Sequence, residues 1–238
     1  MKAMVFAAGL GTRLKDETSL KPKALVEVGG KPLLFHAIEK LKKSGIAEIV
    51  INVHHFADQV IQYVNSTDFG IKIHISDERD LLLDTGGGLK KAARFFSGDD
   101  SVLIYNVDIL SNIDLNQIKK QHLETGALAT LTVRKRATQR YLKFSDKQLA
   151  GWINKKTGET KISLPELFVN AEEMAFSGIH IVQPEIFRLM PENERFSIID
   201  LYLELAKTRK IMAFYDDSDL WIDVGKPEEL EAARKIFS

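Results

Sequence analysis

Three features of the chain predict an α/β fold with a mostly parallel sheet and helices on both faces. An apolar strand at the N-terminus runs into a glycine-rich loop, apolar runs of strand length then alternate with amphipathic helical segments, and 238 residues suffice for one full core. No low-complexity stretch splits the sequence, so one domain is expected. The 33 basic and 33 acidic residues cancel. With no global field to recruit nucleic acid or an anionic membrane, any attraction for phosphate must be local. Cysteine is absent, which excludes disulfides, thiolate metal sites and a cysteine nucleophile. The first apolar stretch is interrupted too early for a signal peptide and no run approaches the length of a membrane span, so a cytoplasmic protein is expected.

The first strand ends in Val5-Phe6-Ala7-Ala8-Gly9-Leu10-Gly11-Thr12-Arg13-Leu14, followed by Lys21-Pro22-Lys23. Gly9 and Gly11 can adopt positive φ and let backbone N–H groups approach an anion, while Arg13 and Lys23 supply countercharge. This is the composition of a phosphate cradle, and also of a simple tight turn. A dinucleotide fingerprint would place a third glycine at Leu14, and a Walker A loop would place Gly-Lys-Ser/Thr at Thr12-Arg13-Leu14, so both are excluded.

Pro32 opens a helix with apolar residues at Leu33, Leu34, Ala37, Ile38 and Leu41, closed by Gly45. Ile46 to Val53 reads as a buried strand, Ala57 to Val64 as a helix and Ile71 to Ile75 as a strand. His54 and His55 follow the second strand, but adjacent residues on extended chain point to opposite sides, which argues against a metal pair there. Asp84-Thr85-Gly86-Gly87-Gly88 leads into a helix through Lys90, Ala93 and Phe96. Three glycines at a helix start cost roughly 1 kcal/mol each relative to alanine. Either a flat ligand approaches closely, or this is a flexible helix end. Ser101 to Tyr105 is the next strand, and it delivers Asn106-Val107-Asp108. A carboxylate just past a strand end projects into the crevice where ligands collect and where a hard divalent cation needs oxygen ligands, so Asp108 is a metal-ligand candidate.

A helix over Leu115 to Glu124 and a strand over Ala127 to Val133 continue the rhythm. It then changes: Tyr141 to Phe144 and Leu149 to Ile153 read as a hairpin around Asp146-Lys147, and Asn154 to Glu173 is polar. Phe176 to Ile181 returns to the sheet, with His180 on a strand face, helices follow around Pro184 to Met190 and Ser197 to Lys207, and a short strand at Leu220 precedes a last helix from Glu228.

The opening loop, together with Pro22-Lys23-Ala24-Leu25 and Val28-Gly29-Gly30-Lys31-Pro32-Leu33, resembles the signature of the sugar-1-phosphate nucleotidylyltransferases over nearly thirty residues. The resemblance implies a Rossmann-like three-layer sandwich of the nucleotide-diphospho-sugar transferase type, with a mixed, mostly parallel central sheet. It implies a nucleotide-binding half at 1–135 and a sugar-phosphate-binding half at 136–238. The implied reaction is Mg²⁺-dependent transfer from a nucleoside triphosphate to a sugar 1-phosphate, giving an NDP-sugar and pyrophosphate. Arg13 would grip the leaving pyrophosphate and Lys23 the α-phosphate. Ala8, Gly9, Gly11 and Thr12 would hold phosphates and nucleoside, and Thr85, Gly86 and Gly87 the base. Asp108 and Asp223, the latter in Trp221-Ile222-Asp223-Val224-Gly225, would hold Mg²⁺. Asn106, Ser177 and Gly178 would meet the sugar phosphate.

The Asp-Thr-Gly-Gly-Gly form looks most like the enzymes that join UTP to N-acetylmuramate 1-phosphate, for a role in cell-wall metabolism; a related hexose 1-phosphate is also compatible. Where many members carry Glu-Lys-Pro, this chain has Trp152-Ile153-Asn154-Lys155-Lys156, which leaves Lys155 and Lys156 as candidates for the sugar-phosphate lysine. A mannose or heptose 1-phosphate guanylyltransferase, a phosphocholine cytidylyltransferase and a non-catalytic nucleotide-sugar-binding subunit remain open. A monomer or small homo-oligomer is expected.

Overall fold

The computed structural model describes residues 1–96, 98 and 100–237. The chain begins with β1 (Lys2–Phe6) and two turns of 3₁₀ helix at Thr12–Thr18 and Lys23–Leu25. A small hairpin of β2 (Glu27–Val28) and β3 (Lys31–Pro32) leads into α1 (Leu33–Lys43). Then come β4 (Glu48–Val53), α2 (Ala57–Ser66), β5 (Lys72–Asp77), α3 (Asp84–Ala92) and β6 (Val102–Asn106). After β7 (Ile109–Ser111) and α4 (Leu115–Thr125), β8 (Ala129–Arg134) returns to the main sheet. The excursion comprises β9 (Arg140–Ser145), β10 (Gln148–Asn154), β11 (Thr160–Ile162) and α5 (Pro165–Phe168). The chain closes with β12 (Glu172–Val182), α6 (Ile198–Leu205), β13 (Ile211–Tyr215), β14 (Trp221–Asp223) and α7 (Pro227–Ile236).

Among the described residues ten strands form one sheet in the order β11-β10-β13-β8-β12-β6-β1-β4-β5, with β9 pairing both β10 and β12. β1 runs parallel to both neighbours, and β12 runs antiparallel to β6 and β8, which makes the sheet mixed. The period-2 geometry of the strands separates the three layers. Ala3, Val5, Ile49, Ile51, Leu103 and Tyr105 face one core with α1, whereas Met4, Val50 and Ile104 face the other with Leu89 of α3 and Tyr202 of α6. Buried on both faces, β1, β4 and β6 are largely apolar rather than alternating, whereas β8 and β12 bury Thr130, Thr132, Ser177 and His180. No described helix is long and apolar enough to cross a membrane.

Helix ends follow local chemistry. Asp114 accepts a hydrogen bond from the Asn116 N–H at the start of α4, and Gly126 takes φ 58° at its end. Asp146 and Lys147 both have positive φ in the tight β9–β10 turn. The Pro184–Arg188 segment is 3₁₀ helix, shorter than the α-helix expected there. The sequence reading has no counterpart for β2, β3, β7, β11 and β13, and β12 extends from Glu172 rather than Phe176.

From β1 the chain builds outward through β4 to β5, then crosses back to place β6 on the other side of β1. Phe6 is in register with both Asn52 and Asn106. The reversal of strand order opens a crevice at the carboxyl ends of β1 and β6, where open α/β sheets bind ligands.

Two histidines are fully buried, His180 beside the crevice and His122 at the opposite end of β6. His122 bonds the Thr130 and Ser101 hydroxyls at 2.9 and 3.2 Å, and burial pushes its pKa down to about 4. His180 lies among the rings of Phe6, Phe176 and Tyr202, and burial pushes it down to about 3. The unfolded chain takes up these protons below pH 6.5 and the folded chain resists them. Their contribution is therefore complete above the unfolded value and is lost as pH falls through the folded ones. Thermal melts at pH 7 and pH 4.5 should show an acid loss that shrinks in His180→Phe; an equal loss in both proteins would contradict a neutral buried His180.

Candidate active site

The opening loop lies over the crevice. The Ala7 N–H donates to Asn52 Oδ1 at 2.8 Å, which ties the loop to the end of β4. Gly11 takes φ +67°, and a Cβ there would lie 3.0 Å from Thr18 and 3.1 Å from Lys23, so conformation and crowding both require glycine. Gly9 has open space on its Cβ side. Residues 6–13 line a cavity of about 470 Å³, together with Lys23, Asn106, Asp108 and Thr85.

Asp108 and Asp223 come together through a short pairing away from the main sheet. Val107 donates to the Phe6 carbonyl at 3.1 Å, which turns the chain after β6 and brings Asp108 into the crevice. β7 then pairs antiparallel with β14, placing Asp223 opposite Ile109, and the Val224 N–H donates to the Asp108 carbonyl at 2.8 Å. Lys23, nearly buried, forms an ion pair with Asp108 Oδ2. Asp223 Oδ1 is buried without a hydrogen-bond partner. Burial raises the Asp223 pKa above the usual carboxylate value, the Asp108 charge adds to the rise, and Lys23, Arg13 and Arg136 oppose it. A Cβ at Gly225 would lie 2.8 Å from Asp223 Oδ1 and 2.9 Å from Arg13 Nη2, so glycine here admits the guanidinium beside the carboxylate.

No three or more His, Cys, Asp or Glu among the described residues are grouped to hold a metal by themselves. Mg²⁺ commonly takes one or two carboxylates and completes its shell with water and substrate phosphate. The hard oxygens of Asp108 and Asp223, one of them buried and unpartnered, fit that pattern.

The glycine triplet has a different setting from the one its sequence suggests. The Gly86 and Gly87 N–H groups both point to the Phe196 carbonyl, at 2.9 and 3.3 Å. A Cβ on Gly86 would enter the Phe196 ring, and one on Gly87 would meet the Glu194 carbonyl. A Cβ on Gly88 would come within 2.8 Å of Glu78 Oε1 and 3.0 Å of Asn52 Nδ2. The triplet thus lets α3 pack against the chain at 194–197 and against an Asn52–Glu78 pair. Gly86 and Gly87 lie behind the cavity wall, while Thr85 lines the cavity and accepts a hydrogen bond from the Ile198 N–H at 3.0 Å.

Sequence reasoning missed Asn52 and Glu78. Glu78 is fully buried, accepts from Asn52 Nδ2 at 2.8 Å and leaves Oε2 unpartnered; burial raises its pKa.

A second cavity of about 740 Å³ adjoins the first along Phe6, Thr85 and Asn106 and reaches Asp223, Arg136, Trp152 and Phe176. Gly178 (φ +78°) sits in a register break of β12, and a Cβ there would lie 3.0 Å from Asn106 Nδ2. Ser177 is buried behind it with its hydroxyl unpartnered, and its carbonyl accepts from Trp221 Nε1 at 3.1 Å. The exposed Lys155 pairs with Glu173 at 2.7 Å, and neither it nor Lys156 lines either cavity. The cations that line the second one are Arg136, Arg140 and Lys161.

A switch-point crevice lined by a glycine loop, by cations that include Arg13 and Lys23, and by two carboxylates has the chemistry to hold phosphate groups. The chain belongs to the nucleotidyl transferase family, whose model matches residues 2–237, and it is a nucleotidyltransferase. It is 34% identical over 239 residues to the N-acetylmuramate alpha-1-phosphate uridylyltransferase of Caulobacter vibrioides, covering 97% of this chain and 94% of that one. It is 30% identical to the D-glycero-alpha-D-manno-heptose 1-phosphate guanylyltransferase of Campylobacter jejuni, covering 96% of each. The crystal structure of HddC from Yersinia pseudotuberculosis shares the fold, with a TM-score of 0.80 at 23% identity over 100% of this chain and 99% of that one.

Gly87→Ala should lower unfolding stability by about 1–3 kcal/mol in urea titration, since the methyl overpacks against the Glu194 carbonyl. Unchanged stability with a loss confined to nucleotide affinity would instead place Gly87 against the ligand.

Proposed function

We propose that the chain catalyses Mg²⁺-dependent transfer of a nucleotidyl group from a nucleoside triphosphate to a sugar 1-phosphate, giving an NDP-sugar and pyrophosphate. UTP with N-acetylmuramate 1-phosphate, or a related hexose 1-phosphate, is the leading substrate pair. One observation carries this reading: two cavities meet along Phe6, Thr85 and Asn106, with Asp108 on the first and Asp223 on the second. That is the layout for two phosphorylated substrates reacting at a shared boundary. The sugar phosphate as acceptor, and uridine as base, draw on the relatives.

In this reading the triphosphate occupies the cavity under residues 6–13, with backbone N–H groups around Gly9 and Gly11 and the Thr12 hydroxyl facing its phosphates. Asp108 and Asp223 would hold Mg²⁺, which when bound would supply charge neutralisation for the phosphates. Lys23, already against Asp108, is placed to contact the α-phosphate. An oxygen of the acceptor's phosphate bonds to the α-phosphorus as the bond to the bridging oxygen of the β-phosphate breaks. Pyrophosphate leaves with that electron pair, and Arg13, beside Gly225, meets its growing charge. No protein nucleophile is needed; the residues position the substrates and offset charge. Asn106, Ser177 and Gly178 shape the sugar side. A non-catalytic binding subunit would have no use for both the cations and the carboxylates at this boundary.

Pyrophosphate release from UTP, GTP, CTP and dTTP against N-acetylmuramate, glucose, mannose and heptose 1-phosphates should single out one pair, with turnover lost on chelating Mg²⁺. Arg13→Ala should then reduce turnover about a hundredfold or more. Turnover within a few-fold of the parent, in a folded variant, would remove Arg13 from the leaving-group role.

A further inference from the structure

The second cavity has a charge to balance. Any acceptor phosphate entering it approaches Asp223, and the two anions repel at close range in a partly desolvated site. Lys161 is committed to Asp200 at 2.7 Å, and Arg140 lies exposed at the rim. Lys155 and Lys156 do not reach the cavity.

Arg136 differs from all of these. Its guanidinium carbon lies 4.6 Å from the Trp221 ring centre, and Nη2 donates to the Phe176 carbonyl at 3.2 Å. Its Nε is buried without a partner. It borders the 740 Å³ cavity and a neighbouring one of about 660 Å³, sharing both with Asp223. Arg134, two residues earlier on the same face, shows what a purely structural arginine looks like here: Nη1 bonds Asp216 at 3.1 Å and Nη2 the Ser218 carbonyl at 3.0 Å. Among the described residues only the Phe176 carbonyl accepts from the Nη groups of this half-buried guanidinium, and leaving the others unpaired is costly unless a ligand or water supplies acceptors. The planar fork of arginine matches phosphate oxygens two at a time. Trp221 fixes the plane of that fork and is itself held by its indole bond to the Ser177 carbonyl.

We propose that Arg136, seated on Trp221, grips the phosphate of the acceptor and orients its attacking oxygen toward the triphosphate cavity. This assignment rests on the nucleotidyl-transfer reading. Arg136 exchanges no proton in the step: the oriented oxygen bonds to the α-phosphorus, and the bond to pyrophosphate breaks with its electron pair on the leaving group. Arg136 thereby supplies the sugar-side cation that the two neighbouring lysines do not.

The test is steady-state kinetics of pyrophosphate release with UTP and the best acceptor of the panel, varied separately, for the parent, Arg136→Met and Arg136→Lys. Arg136→Met should raise the acceptor KM about ten- to a hundredfold, the factor of one charge-assisted hydrogen bond, and leave the UTP KM within about twofold. Arg136→Lys, which keeps the charge and most of the stem, should recover part of the loss; near-ultraviolet circular dichroism checks that both variants fold. An acceptor KM unchanged in both variants of an active parent, or a rise confined to the UTP KM, overturns the assignment and leaves the function standing. A parent that releases no pyrophosphate with any pair overturns the function, and the assignment with it.

Discussion

Asp108 and Asp223 belong to segments far apart in sequence, and the three-residue pairing of β7 with β14 holds them at one crevice. Two unit charges about 4 Å apart interact by roughly 4 kcal/mol at an effective dielectric near 20. A carboxylate pair in a partly buried crevice therefore needs cations close by. The fold supplies them from separate loops: Lys23 on Asp108, Arg13 through the gap left by Gly225, and Arg136 from the end of β8. Burial first, and the Asp108 charge second, raise the Asp223 pKa against the pull of these cations. The other site residues are arranged around this constraint, with the 470 Å³ cavity on the Asp108 side and the larger cavity on the Asp223 side.

The scaffold keeps those charges in place by close backbone packing. Asn52 links the opening loop to the buried Glu78, and Glu78 leaves room only for a glycine at position 88. Gly86 and Gly87 let α3 sit against the chain at 194–197, and the next residue, Ile198, donates its N–H to Thr85 at the boundary between the cavities. The glycines thus act on the site through the wall they build. Beside Asn106, Gly178 performs a similar service by letting β12 pass close to that side chain.

Much of this was legible in the sequence where the signal is local. A buried strand running into Gly-x-Gly needs no distant information, and a carboxylate just past an apolar strand belongs at the crevice of a parallel sheet. Asp223 was reached through the Trp221–Gly225 resemblance: the short strand there was legible, but its pairing with the three residues of β7, which places the carboxylate, was not. Arg136, Asn52 and Glu78 were not legible, since each gains its place from partners far off in the chain: Trp221 for the first, and each other for the pair. Lys155 and Lys156 were candidates because they stand where many relatives carry Glu-Lys-Pro, yet both lie exposed in the turn after β10, where Lys155 pairs with Glu173. The glycine triplet carried a real signal of close approach, but composition does not say whether a ligand or the protein's own chain approaches.

The central claim is that Asp108 and Asp223 form one divalent-cation site completed by substrate phosphate. Titration of Mn²⁺ followed by the paramagnetic resonance of the free ion, with a non-hydrolysable UTP analogue bound, tests it without turnover. The account predicts one Mn²⁺ per chain for the parent, weakened about tenfold or more in Asp108→Asn and in Asp223→Asn. Equal Mn²⁺ affinity in the parent and the doubly substituted protein would contradict it.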